Sequence, residues 1–272
     1  MKIFCILGDE RAFRSKSPVV FSSVLKRVGI RGMYVPFRVD PGQIGAAMQS
    51  LRVLNIDGAN ITVPYKETVI PHLDILSEGA NIIGAVNTVV RKDRILKGYN
   101  TNAIGFMDTL EEIGFNVPGK TALVFGTGGI AKAIVFILNW LRAESILIAG
   151  RNKNSLAGIV NNIGGTALPI ESVNDGPIQA NILINATSVS SPDESPELAA
   201  LIDKCDIREC EMIIDVNYGR QVNLWEAKAK QKDVQFLDGR FILAHQARRS
   251  FSLWTKIDVE AKEFLKAMDE EF

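Results

Sequence analysis

Lys66 closes the run NITVPYK, and Asn102 closes GYNTN at residues 98–102. A lysine amine can carry a proton to or from a reacting oxygen when burial or a neighbouring charge tunes its basicity. The polar triplet after Tyr99 is Asn100, Thr101 and Asn102, with no acid in it. It reads either as a catalytic loop without a carboxylate or as a polar turn. SKSP at residues 15–18 adds the hydroxyls of Ser15 and Ser17, which suit a carboxylate at a helix N-terminus. The same four letters also describe a serine N-cap with proline at the first helical position. Thr62 lies four residues before Lys66, and GAVNTV at 84–89 contributes Asn87. Taken by itself, Lys66 reads as a surface charge.

The second chemical feature is TALVFGTGGIAKA, which puts Gly126, Gly128, Gly129 and Ala131 in a GxGxxA pattern between a strand and a helix. Gly126 permits the tight turn, Gly128 lets backbone approach a diphosphate, and Ala131 lets helix and strand pack closely. A helix N-terminus following such a turn aims unpaired N–H groups at phosphate. A glycine-rich strand–helix turn without a ligand has the same letters, but the βαβ context favours a dinucleotide. The next strand ends AGRNKN, with Arg151 and Lys153 where an NAD site carries an acid for the ribose. That basic turn favours NADP over NAD.

These residues need a scaffold that alternates strand and helix. KIFCILG (2–8), GMYVPFRV (32–39) and DGANITV (57–63) read as strands, with helices expected at 17–29, 41–54 and 66–77. GAVNTVVR and ILKGYN are spaced as a hairpin. From about residue 103 a helix is followed by strands at 121–126 and 145–150, with a long apolar helix between them. ANILINAT (180–187) and EMIIDVNY (211–218) are later strands, and 188–197 is expected to be a mobile loop. The tail from about Phe241 reads as helical. Repeated βαβ units predict an α/β protein with a mostly parallel sheet.

Composition narrows the function classes. At 272 residues with 47% hydrophobic and 23% charged side chains, two globular domains are expected. Lys plus Arg (31) equals Asp plus Glu (31), so neither nucleic acid nor a membrane is an expected partner. Three scattered cysteines without a CxxC pair suit a reducing cytosol. With two histidines, His72 and His245, no metal site is expected.

In chain order SKSP, GANITVPYKE, GAVNTV, GYNTN, GTGGIAKA, NATS, DVNY and HQARRSFSLW resemble the shikimate dehydrogenases over nearly the whole length. The resemblance implies an N-terminal α/β substrate-binding domain, residues 1–102 with 238–272, and a Rossmann-type NADP-binding domain at 103–237. It implies a cytoplasmic, NADP-dependent oxidoreductase that reversibly reduces 3-dehydroshikimate to shikimate in aromatic amino-acid biosynthesis. Its partner would be a small carboxylate, and its assembly a monomer or homodimer. Carried over by position, Ser15 and Ser17 would hold the carboxylate and Lys66 would be the general acid/base. Asn87 and Gln246 would bind ring hydroxyls, with Thr62 supporting the pocket. Asn185, Thr187 and Ser188 would line the cofactor side. Tyr218, toward the substrate, and Gly239 would border the nicotinamide end.

The chain departs from the family at several positions. The lysine's aspartate partner is Asn102 here, and the carbonyl of Asn102 is expected to accept from Lys66 in its place. A proline after DVNY is Arg220, a following threonine is Asn223, a Gly-Met pair is Phe241-Ile242, and a His-Asn pair is Phe21-Ser22. Two alternatives stay open: a paralogue acting on quinate or a related ring acid, motivated by Arg220 and Phe241, and an NADP-binding module of little activity, motivated by Asn102.

Overall fold

Strand β1 (Lys2–Gly8) shows how the first half is built. Its side chains alternate, so Phe4 and Ile6 enter one core while Cys5 and Leu7 enter another on the opposite face. A strand apolar on both faces belongs in the middle of a covered sheet. In the computed structural model, which describes residues 1–270, β1 sits between β2 (Gly32–Arg38) and β3 (Gly58–Ile61), parallel to both. Helices α1 (Ser17–Arg27) and α2 (Ile44–Val53) make the connections. The strip β4 (Ile75–Leu76) and helix α3 (Glu78–Ile83) lead to the antiparallel hairpin β5 (Thr88–Lys92) and β6 (Ile95–Tyr99). The sheet order is β2-β1-β3-β5-β6-β4, so this sheet is mixed where a mostly parallel one was expected.

Helix α4 (Thr101–Glu112) leads into a second six-stranded sheet. Its elements are β7 (Thr121–Phe125), α5 (Gly129–Trp140), β8 (Ser145–Gly150), α6 (Lys153–Asn162) and β9 (Thr166–Pro169). Then follow β10 (Ile178–Gln179), β11 (Ile182–Asn185), α7 (Pro196–Lys204), β12 (Ile207–Arg208), β13 (Met212–Asp215), α8 (Leu224–Lys232) and β14 (Gln235–Leu237). Short β10 and β12 pair separately; the others run parallel in the order β14-β13-β11-β7-β8-β9. That order reverses direction between β7 and β11, which is the doubly wound arrangement with its switch point there.

Helices α9 (Gly239–Thr255) and α10 (Ala261–Asp269) complete the chain. Trp254 of α9 stacks on Phe4 with ring centroids 4.8 Å apart, and Phe21 lies flat on Tyr34 at 4.6 Å. Phe21, one of the departures, is thereby explained: it fills an aromatic cluster with Phe264 and Trp254. Two compact units result, Met1–Phe106 with Leu243–Phe272 and Met107–Ile242. Both boundaries fall inside helices, α4 and α9, about four residues later than expected from the motifs.

Two expectations need correction. Residues 66–77 form no α-helix; they fold as turns, a 3-10 turn at Ile70–His72 and then β4. Pro71 lacks the N–H a helix needs there, and the Asp74 carboxylate instead accepts from the Leu96 backbone N–H at 2.6 Å. Residues 188–197, expected as a loop, carry the 3-10 turn Pro192–Glu194 closed by a capping box with Ser191. No helix of the described residues is long and apolar enough to cross a membrane.

Candidate active site

The polar cluster of the first unit starts from Asn87, just before β5. Its Oδ1 accepts the Thr101 backbone N–H at 2.7 Å, which fixes which way the amide faces. Asn87 Nδ2 then points at three oxygens: Thr101 Oγ1 at 2.9 Å, Asn102 Oδ1 at 3.0 Å and Gln246 Oε1 at 3.0 Å. Gln246 reaches this point because α4 has Gly105 where α9 crosses it; a Cβ there would come within 2.7 Å of the Gln246 backbone nitrogen. The hydroxyls of Thr88, Thr101 and Ser250 join the cluster from beneath, at 2.8–3.1 Å from one another. Asn60 Nδ2 donates to Thr88 Oγ1 at 3.0 Å, and Asn60 Oδ1 accepts from the Tyr34 hydroxyl at 2.8 Å. Burial raises the Tyr34 phenol well above the ordinary range. A continuous chain of buried polar groups thus runs from Tyr34 to Asn102.

Three of the predicted residues, Asn87, Asn102 and Gln246, are therefore directly bonded. Ser15 and Ser17 are joined by a 3.2 Å bond from the Ser17 backbone N–H to Ser15 Oγ. Helix α1 begins at Ser17 with Lys16 as its cap residue and no side-chain capping bond, so neither serine is spent as a cap. Thr62 packs its methyl over Gly8, where a Cβ would come within 2.3 Å of it. Lys66 is tied to the cluster through its backbone, its carbonyl accepting from Val86 N–H at 2.7 Å, next to Asn87. Burial pushes its ammonium down to about 8. No carboxylate offsets that loss of water.

Asn102 departs from expectation. Its carbonyl is engaged by Asn87, and the structure forms no bond from Lys66 to it. Its Nδ2 is buried without an acceptor. The physical reason is the fixed amide of Asn87: a donor facing Asn102 requires the carbonyl on that side.

Sequence reading missed Tyr34, Thr88, Thr101 and Ser250 as parts of this cluster. Ser250 had a usable signal, since it stands four residues after Gln246 on one helix face, and its Oγ donates to the Gln246 carbonyl at 3.0 Å. Gly105 inside a helix was a second signal, of close helix approach.

The second unit supplies a dinucleotide cradle at the C-terminal ends of β7, β8 and β11. Gly126 has φ +118° and its N–H donates to the Ala149 carbonyl at 2.8 Å; a Cβ would meet the Ala186 carbonyl oxygen at 2.7 Å. Only glycine fits there. Gly128, by contrast, faces open space and caps α5 without any side-chain bond, leaving the N–H groups of Gly129 and its turn to a ligand. Ala131 is fully buried against the sheet. Gly150 admits the Thr127 methyl, which brings the end of β8 beside this turn. Arg151 and Lys153 follow, exposed and without an ion pair or hydrogen bond to another described residue. The fit to a diphosphate and a further phosphate is good: backbone donors, open space and two uncommitted cations.

The neighbouring strand ends are built around Asp215, which is fully buried. It accepts from Asn185 Nδ2 (2.8 Å), the Asn217 N–H (3.0 Å), Asn217 Nδ2 (3.1 Å) and Asn223 Nδ2 (2.8 Å). Asn223 also caps α8, which accounts for that departure. Thr187 Oγ1 donates to Asn185 Oδ1 at 2.7 Å, so NATS is organised by the same hub. Arg220 donates to Glu194 at 2.9 and 3.0 Å and to the Tyr218 carbonyl at 3.1 Å. Gly239 is required by packing, since a Cβ would lie 2.1 Å from the Val216 carbonyl oxygen.

A doubly wound dinucleotide unit joined to an α/β unit that buries a cluster of amides and hydroxyls is the arrangement of a two-domain nicotinamide-dependent oxidoreductase. Residues 7–89 match the shikimate dehydrogenase substrate-binding domain, and residues 109–238 match the shikimate/quinate 5-dehydrogenase domain. The NADP+ shikimate dehydrogenase of Caldanaerobacter subterraneus subsp. tengcongensis is 36% identical, covering 93% of this chain and 91% of that one. That of Nitrosopumilus maritimus is 30% identical over 98% of both. A shikimate 5-dehydrogenase from Thermus thermophilus, solved in complex with NADP(H) and shikimate, is 30% identical and superposes over the whole of both chains with a TM-score of 0.87. The chain belongs to the shikimate dehydrogenase family and is an NADP-dependent oxidoreductase.

Proposed function

We propose that the protein interconverts 3-dehydroshikimate and shikimate with NADP, and that Lys66 moves the proton without a carboxylate partner. The observation that supports this reading is Lys66, whose ammonium burial lowers to about 8 and whose backbone carbonyl is bonded to Val86 N–H, one residue before Asn87 of the amide cluster. NADPH, when bound, supplies a hydride to the ketone carbon. The carbonyl electron pair then settles on oxygen, and Lys66 passes that oxygen its proton to complete the alcohol. In the reverse direction neutral Lys66 takes the hydroxyl proton. A lysine near 8 is mostly protonated at neutral pH yet can be restored by solvent, which suits both directions.

Ser15 and Ser17 hold the ring carboxylate, Asn87 and Gln246 face the ring hydroxyls, and Thr62 supports them. Gly126, Gly128, Gly129 and the start of α5 take the diphosphate, with Ala131 letting the helix approach. Arg151 and Lys153 pair with the 2′-phosphate. Thr187, Tyr218 and Gly239 line the nicotinamide end. Three free cysteines, two of them buried, support action in a reducing cytosol.

The quinate alternative loses part of its motive, because the Arg220 guanidinium is already paired with Glu194. Spectrophotometric assay of NADPH formation with shikimate, then with quinate, tests the proposal. Turnover of shikimate above quinate is expected. NADP binding without turnover of either acid would overturn it in favour of a binding protein.

A further inference from the structure

We infer that Asn102 is a donor to the ligand, and that it turns the site toward the keto form of the substrate. This rests on the substrate class proposed above. The Thr101 backbone N–H is a group that can only donate. Its bond to Asn87 Oδ1 at 2.7 Å leaves Asn87 no freedom to flip. Asn87 Nδ2 must then face Asn102, and the 3.0 Å contact requires the Asn102 carbonyl there. The Asn102 NH2 is consequently turned away from Asn87, buried and without an acceptor. A buried donor in that condition calls for an oxygen from the ligand.

A ketone oxygen has lone pairs and no hydrogen, so it satisfies Nδ2 and leaves nothing over. A hydroxyl also accepts from Nδ2 but brings a hydrogen that needs an acceptor of its own, which Lys66 supplies only in its neutral form and not as the ammonium that prevails at neutral pH. The nearby oxygens, Asn102 Oδ1 and Gln246 Oε1, are neutral and already share the Asn87 NH2. An ammonium substituent has only donors and fits worst. The order at this position is therefore ketone, then hydroxyl, then amine. Aspartate at 102 would reverse it, because a carboxylate accepts from hydroxyl and ammonium and repels a carbonyl oxygen.

Calorimetric titration of the full chain with 3-dehydroshikimate and with shikimate, both without nucleotide, tests this. The keto acid should bind about fivefold tighter, and Asn102→Asp should shift the ratio toward shikimate by on the order of tenfold. A merely structural role for Asn102 would weaken both ligands alike. Equal or tighter binding of shikimate to the unaltered protein, an unchanged ratio in the variant, or binding of neither acid would overturn the inference. Should the variant not fold, the backbone-assigned side-chain amide of Asn102 in 15N-labelled protein decides. It must move more with the keto acid than with shikimate, and an equal response overturns the inference. Because no turnover enters these readouts, a protein that never forms NADPH but keeps the preference refutes the proposed activity and leaves this inference standing.

Discussion

The two units each bury a polar hub, and the hubs differ in kind. In the second unit a carboxylate, Asp215, receives four donors and has none to spare. In the first unit amides and hydroxyls form the hub, and one donor, Asn102 Nδ2, is left over. A satisfied network fixes backbone, whereas an unsatisfied buried atom leaves a hydrogen bond unmade. The chain thus keeps a carboxylate where it holds strand ends in place and amides where the first unit gathers its polar groups.

The largest effect should come from breaking the satisfied hub. Asp215→Ala leaves Asn185, Asn217 and Asn223 donors without their acceptor, at roughly 1–3 kcal/mol for each group that water cannot reach. A loss on the order of 4 kcal/mol is expected in denaturant unfolding, enough to remove NADP binding as well. A loss below about 1 kcal/mol would show that the hub is ornamental to stability.

Lys66→Met should do the opposite. It removes a desolvated amine, so stability should hold or rise slightly, while turnover should fall by about 10²–10⁴-fold, the usual worth of a general acid–base group. Steady-state kinetics beside a thermal melt checks this. Retained turnover would move the proton chemistry elsewhere.

A smaller effect belongs to Arg220, whose guanidinium links Glu194 to the Tyr218 carbonyl. The Glu194 carboxyl titrates lower than usual: burial opposes this, but the Ser190 and Ser191 N–H groups and Arg220 outweigh it. The pair is about one-third exposed, so Arg220→Ala should cost no more than about 0.5–1 kcal/mol. Its signature should be a raised KM for NADP rather than a changed kcat, because the Tyr218 loop is held from that side. An unchanged KM would confine Arg220 to the surface.

Much of this was legible because backbone demands leave letters. The GxGxxA turn, the alternation of KIFCILG and the hairpin around residue 93 all follow from constraints that only certain residues meet. Residues 66–77 misled because an apolar periodicity outweighed Pro71, which broke the helix. The hydroxyls of Thr88, Thr101 and Ser250 could not be read as a group, since they come from β5, α4 and α9 and meet only after folding. Asn102 was legible as a departure, but not its orientation. That depends on one backbone N–H three-dimensionally opposite Asn87, and no spacing in the chain announces it.

Lys66 is proposed to move its proton without a carboxylate partner. In shikimate oxidation the neutral amine is the active form, so kcat/KM should rise with pH through a single inflection near 8, where burial has placed Lys66. Asn102→Asp supplies an anion that favours the ammonium, and should move that inflection upward. The pH profile of kcat/KM for shikimate, measured on both proteins, is the most direct test. A rise near 8 that shifts upward in the variant is the predicted result; a profile flat between pH 7 and 9, or an inflection that the variant leaves in place, would contradict it.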